Sequence, residues 1–210
     1  KIEHHHHQKP TLKDFREIVM TPNVWLCIIA ASAFMSWLYL FNAFAPLYMA
    51  EVKGLDPRVA GMVMGTSGMG GVLIGFLMVS LAERVGRKPV ALTMAILAIL
   101  APLLVTMDSL YQPIWMLALL EFLTNCSVGI TTLVLVMAAA ESVPRNTAAA
   151  AIGLVSMFGE LIGATLMPSI GGQLASSHGL QAPLLLAASS ALVMAAAIAL
   201  LRFNRVEDRV

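Results

Sequence analysis

The chain has 210 residues, 59% of them hydrophobic and 12% charged, with a mean hydropathy of +0.82. Soluble domains carry about 25% charged residues, so this composition excludes a soluble catalytic domain, a nucleic-acid-binding module and a disulfide scaffold. The formal net charge of +1 carries no information on partners; the placement of the charges does.

Residues 1–23 read as a cytoplasmic linker. They are charged and lack the short apolar segment and small-residue cleavage site of a signal peptide. The His4–His7 run reads as a flexible linker or the remnant of a purification tag rather than a metal site, because no carboxylate or cysteine cluster accompanies it. Thr11–Met20 has the pattern of a short amphipathic helix on the membrane surface. The chain begins with Lys1 rather than Met and is expected to be a piece of something longer. Residues 24–201 then hold apolar runs separated by short charged clusters. About 20 apolar residues cross a 30 Å hydrocarbon core. Six spans are predicted, at about 24–49, 58–82, 89–106, 111–140, 148–173 and 182–201. The fourth is long enough to tilt or to emerge from the bilayer. Turns rich in Pro, Gly and charge join the spans at residues 51–57, 83–89, 107–109, 141–146 and 176–179, and 202–210 forms a charged tail. Cys27 and Cys126 lie inside apolar runs and are expected as unpaired, packed thiols.

Lys1, Lys9, Lys13, Arg16, Arg84, Arg87, Lys88, Arg145, Arg202, Arg205 and Arg209 fall on one side of the predicted bilayer, against Lys53 and Arg58 on the other. The positive-inside rule therefore places both termini in the cytoplasm.

Ionisable residues are costly inside hydrocarbon and mark function by default. Two lie well away from span ends, Glu121 and Glu160. On a continuous α-helix Asn125, Gly129 and Thr132 share the face of Glu121, and Ser156, Gly163 and Met167 share that of Glu160. The first span carries Ser32, Ser36 and Tyr39 at helical spacing, then Asn42 and Pro46. Ser32 and Ser36 are read as bridges between helices; Asn42 and Asn125 stay open between bridging and binding. Between Pro89 and Val105 the third span holds Thr93 alone as a polar side chain, and between Pro183 and Leu201 the sixth holds only Ser189 and Ser190. Spans one, two, four and five are therefore expected to face protein or water, and spans three and six lipid. Gly61/Gly65 and Gly71/Gly75 permit close helix contact, with bending at Pro46 and Pro168 as the sharper alternative. The fourteen methionines read as adaptable packing, not as a metal path.

The loop Leu81-Ala82-Glu83-Arg84-Val85-Gly86-Arg87-Lys88 resembles the cytoplasmic signature of the major facilitator superfamily (MFS), Gly-x-Leu-Ala-Asp-Arg-x-Gly-Arg-Lys, with Val79 at the leading glycine and Glu83 at the aspartate. Glu141, Pro144 and Arg145 resemble that family's penultimate cytoplasmic loop, and Gly163 through Gly172 the glycine-rich stretch of its eleventh helix. The resemblance implies an all-α membrane protein: one six-helix half-bundle, the C-terminal one, in a bacterial inner membrane and partnered by an N-terminal half outside this chain. It also implies a secondary transporter of a small organic solute, working by alternating access and coupled to the proton gradient, with no other cofactor, no metal and no enzymatic activity. Tyr39, Asn42, Glu121, Asn125 and Glu160 are then the cavity residues, with Glu121 and Glu160 the proton-coupling candidates. Glu83, Arg84, Gly86, Arg87 and Lys88 form a cytoplasmic gating loop, Glu83 and Arg87 pairing with each other or with a helix end. Two rivals remain: a non-transporting receptor or scaffold on the same fold, and, remotely, an intramembrane serine protease on the strength of Gly65-Thr66-Ser67-Gly68, which has no mid-span histidine base beside it.

Overall fold

The computed structural model describes residues 16 and 18–203. Six helices among them are long and apolar enough to cross a membrane: α1 Pro22–Glu51, α2 Pro57–Val85, α3 Arg87–Thr106, α4 Ile114–Glu141, α5 Ala148–His178 and α6 Gln181–Leu200. The His4–His7 run and Arg205–Val210 lie outside the described residues. So does most of the expected surface helix, of which Ile18–Met20 are helical.

Local chemistry sets the ends of these helices. Pro22 and Pro57 occupy first-turn positions, where the missing amide costs nothing. Asp56 caps α2 by accepting the Arg58 amide at 2.8 Å. Gly86, at φ +107°, ends α2 and at once begins α3. Residues 176–178, expected as a turn, instead complete α5, because it is Gly179 at φ +84° that adopts the left-handed backbone ending the helix.

α1 is the most buried of the six helices and α2 and α5 the least. α1 packs on α6 and α5, α6 on α3, and α2 on α4. Stacked Phe34, Trp37 and Phe41 fill the centre, with ring centroids 5.9 and 5.7 Å apart. Within the expected group of helices facing protein or water, the long uncovered faces belong to α2 and α5, whereas α1 is a core helix that faces protein. Its serines do not bridge helices. Ser36 donates to the Ser32 carbonyl of its own helix at 2.6 Å.

Two glycine seams hold the bundle. A Cβ at Gly70 of α2 would lie 2.0 Å from the Phe122 carbonyl oxygen of α4, and one at Gly75 2.8 Å from the Gly129 amide. A Cβ at Gly163 of α5 would lie 2.3 Å from that of Met35 on α1. Gly61 and Gly65, expected in close contact, have nothing within 4 Å and lie on the exposed face of α2.

Neither α4 nor α5 is a continuous α-helix. α4 runs to Thr124, breaks where Asn125 is extended (φ −82°, ψ 118°), resumes at Ser127 and widens to a π-helix over Thr131–Ala138. α5 is π-helical over Glu160–Leu166.

Candidate functional site

Glu121 lies in the first segment of α4, where α2 and α3 pack against it. It is fully buried, and neither carboxyl oxygen has a hydrogen-bond partner. Four residues on, the helix breaks, and Asn125 is occupied by the break itself. Its Nδ2 donates to Ser67 Oγ of α2 at 3.0 Å, and its Oδ1 accepts the Ser127 amide at 3.1 Å. That side-chain acceptor serves a donor at the start of the second segment, as an N-cap does. Thr124 Oγ1 donates to the Leu120 carbonyl at 2.9 Å. Glu121 and Asn125 are therefore sealed in the α2–α4 seam and do not line an open surface of this bundle. The expected continuous face through Gly129 and Thr132 is broken at Asn125, and Gly129 packs on Gly75.

Glu160 has the opposite setting. It is exposed on α5, at the first residue of the π-helical segment, and its Oε2 accepts the Tyr39 hydroxyl of α1 at 3.0 Å. Asn42, also exposed, follows Tyr39 by three residues on α1. The five expected cavity residues thus divide into an exposed group across the α1–α5 seam (Tyr39, Asn42 and Glu160) and a buried one (Glu121 and Asn125). Ser67 belongs with the buried group as the Asn125 partner. The described histidine, His178, bonds Ser177 at the far end of α5.

At one end of the bundle Arg87 pairs with Glu141 at the end of α4, both side chains largely buried. Lys88 donates to the Leu201 carbonyl at 3.1 Å. Arg87 thus takes a helix-end partner rather than Glu83, and Glu83 and Arg84 are exposed. Asn23 completes this end. Its Nδ2 donates to Ser142 Oγ at 2.6 Å and to the Arg202 carbonyl at 3.1 Å, and its Oδ1 accepts the Arg202 amide at 3.0 Å. The start of α1 and the ends of α4 and α6 are joined through one side chain.

Sequence reasoning missed the opposite end, where Lys53 of the α1–α2 loop pairs with Asp108 of the α3–α4 loop. Its ammonium lies 5.4 Å from the Tyr48 ring centre and 5.5 Å from that of Tyr111. The Asp108 hydrogen bond, foremost, holds the Lys53 ammonium above the usual lysine range. Burial pushes the Tyr111 phenol up, with the charges of Tyr48, Glu121 and Asp108 adding to it. Only the clustering of Lys53, Asp108 and Tyr111 at two loops, with Tyr48 at the adjoining end of α1, could have signalled this.

No curated protein matches the chain. The family model of the Major Facilitator Superfamily matches residues 9–210. With six membrane-crossing helices beneath that match, the chain belongs to the Major Facilitator Superfamily, a family of membrane transporters.

Proposed function

We propose that the chain is the C-terminal half of a proton-coupled secondary transporter for a small organic solute, with Glu121 as the coupling group and Tyr39, Asn42 and Glu160 facing the solute. The supporting observation is the isolation of Glu121: a fully buried carboxyl with no ion-pair or hydrogen-bond partner among the described residues. A bare carboxylate in such a place is costly. Binding a proton removes that cost, and releasing it requires water that the closed α2–α4 seam keeps out. Opening the seam and losing the proton are therefore linked, and that linkage is what a coupled carrier needs.

The solute site forms where the uncovered faces of α2 and α5 meet an N-terminal six-helix half, near the bilayer midplane. The basic end, with Arg84, Arg87, Lys88 and Arg145, lies in the cytoplasm of a bacterial inner membrane, and the Arg87–Glu141 pair steadies the gating loop there.

Reconstitution of the full-length protein in liposomes enclosing a pH-sensitive dye tests this reading. A panel of organic cations and neutral solutes is added outside and proton movement recorded. Glu121→Gln is expected to abolish proton-driven accumulation of the responding solute while sparing its counterflow exchange. Glu160→Gln is expected to weaken solute affinity in both assays. Normal accumulation by both variants would place coupling elsewhere, and absence of any solute flux would favour the receptor reading.

A further inference from the structure

The cluster around Lys53 has the chemistry of a binding site already filled. Two aromatic ring centres lie within 6 Å of one ammonium, at 5.4 and 5.5 Å, and a carboxylate completes the enclosure. Aromatic faces with a nearby anion are how proteins hold organic ammonium ions. The walls have supports other than Lys53. Tyr48 is a buried residue of α1. The Tyr111 hydroxyl donates to the Val105 carbonyl at the end of α3 at 2.6 Å. Asp108 opens the helical turn Asp108–Leu110, and its side chain is 87% exposed, so one wall is open to solution. The occupant is carried on the short loop between α1 and α2, turned by Gly54 at φ +68°. Among the described residues, its charge is paired with the Asp108 carboxylate.

We propose that Tyr48, Tyr111 and Asp108 form a receptor for a monovalent organic ammonium ion, with the Lys53 side chain as its resident occupant. Removing that side chain vacates the site for a free cation of the same chemistry. The proposal concerns a mouth of the bundle away from Glu121 and does not rest on proton coupling.

Chemical rescue tests it. The intact protein in detergent, as wild type and as Lys53→Ala, is melted in tetramethylammonium chloride and in sodium chloride at equal ionic strength. Lys53→Ala is expected to melt about 3 °C lower than wild type in sodium chloride. Tetramethylammonium recovers most of that loss and leaves wild type unmoved. Adding Tyr111→Leu to Lys53→Ala removes the recovery. Lys53→Met, which keeps an apolar stem, replaces Lys53→Ala if the latter does not fold. By titration calorimetry, tetramethylammonium binds the lysine-less variant about tenfold more tightly than wild type. Recovery no greater than in sodium chloride, recovery that survives Tyr111→Leu, or equal binding to both proteins overturns the proposal. Neither measurement depends on transport, so its failure and that of the transporter reading are told apart.

Discussion

Glu121 and Glu160 are the same side chain in opposite surroundings, and the difference decides what each can do. Glu160 keeps one oxygen engaged by the Tyr39 hydroxyl on an exposed surface. Glu121 is fully buried, and neither of its oxygens has a hydrogen-bond partner. Both were visible in the sequence because two acidic residues interrupt otherwise apolar runs. Their separation was not, since the partner of Glu160 lies 121 positions away. At Lys53 the folded state favours the charged form. Its folded value is raised, so its contribution is fully present below the ordinary lysine range and is lost as pH rises through the elevated value. Stability of the Lys53–Asp108 end is therefore expected to be flat from neutral pH to about pH 10 and to fall above it. Comparing wild type with Lys53→Met by thermal melting across pH 7–11 checks this: the two curves should converge at the alkaline end, and a gap that widens there would contradict it.

At the scale of the element, glycine has two unlike uses within α2. Gly70 and Gly75 let backbone meet backbone at the α4 seam, whereas Gly65 faces open space. Gly70→Ala is expected to destabilise the protein by about 1–3 kcal/mol, since a methyl group 2.0 Å from a carbonyl oxygen forces the seam apart. Gly65→Ala should leave the fold of this half intact or firmer by about 0.5–1 kcal/mol, from reduced unfolded-state freedom. Melting temperatures of the two variants, side by side, provide the check. Spacing announced that these helices pack closely, but four-residue spacing occurs on both faces of α2, so the pattern did not tell a seam from an open face. The break in α4 was likewise hidden by hydropathy, which stays high through it. Its signal was chemical: Thr124, Asn125, Cys126 and Ser127 are four consecutive side chains able to bond backbone groups in the middle of an apolar run.

For the whole molecule, hydropathy alone placed the six helices, because hydrocarbon thickness sets helix length and leaves little choice. Which helix sits at the centre was not legible that way. Polarity grouped α1 with α2, α4 and α5 as facing protein or water, and it is Phe34, Trp37 and Phe41 that make it the core. The bundle has two polar ends of different character, one joined through Asn23 and Arg87, the other through Lys53. On the charge count, we propose that the first faces the cytoplasm. Glu83→Cys and Gln112→Cys lie at opposite ends, and the native Cys27 and Cys126 are buried, so background reaction is low. In intact cells a membrane-impermeant maleimide is expected to label Gln112→Cys and to reach Glu83→Cys only after permeabilisation. The reverse pattern would invert the assigned topology.

The interruption of α4 has a consequence for how the span breathes. A membrane helix normally frays at its ends and protects its middle, because interior amides exchange only when the ladder opens. In α4 the weak point is internal: the Ser127 amide leans on a side chain, and that side chain also ties α2 through Ser67. Deuterium should enter this span first at its waist, near Ser127, ahead of Leu117 and Leu135 on either side. The rate of that entry would then serve as a clock for each loosening of the seam that encloses Glu121.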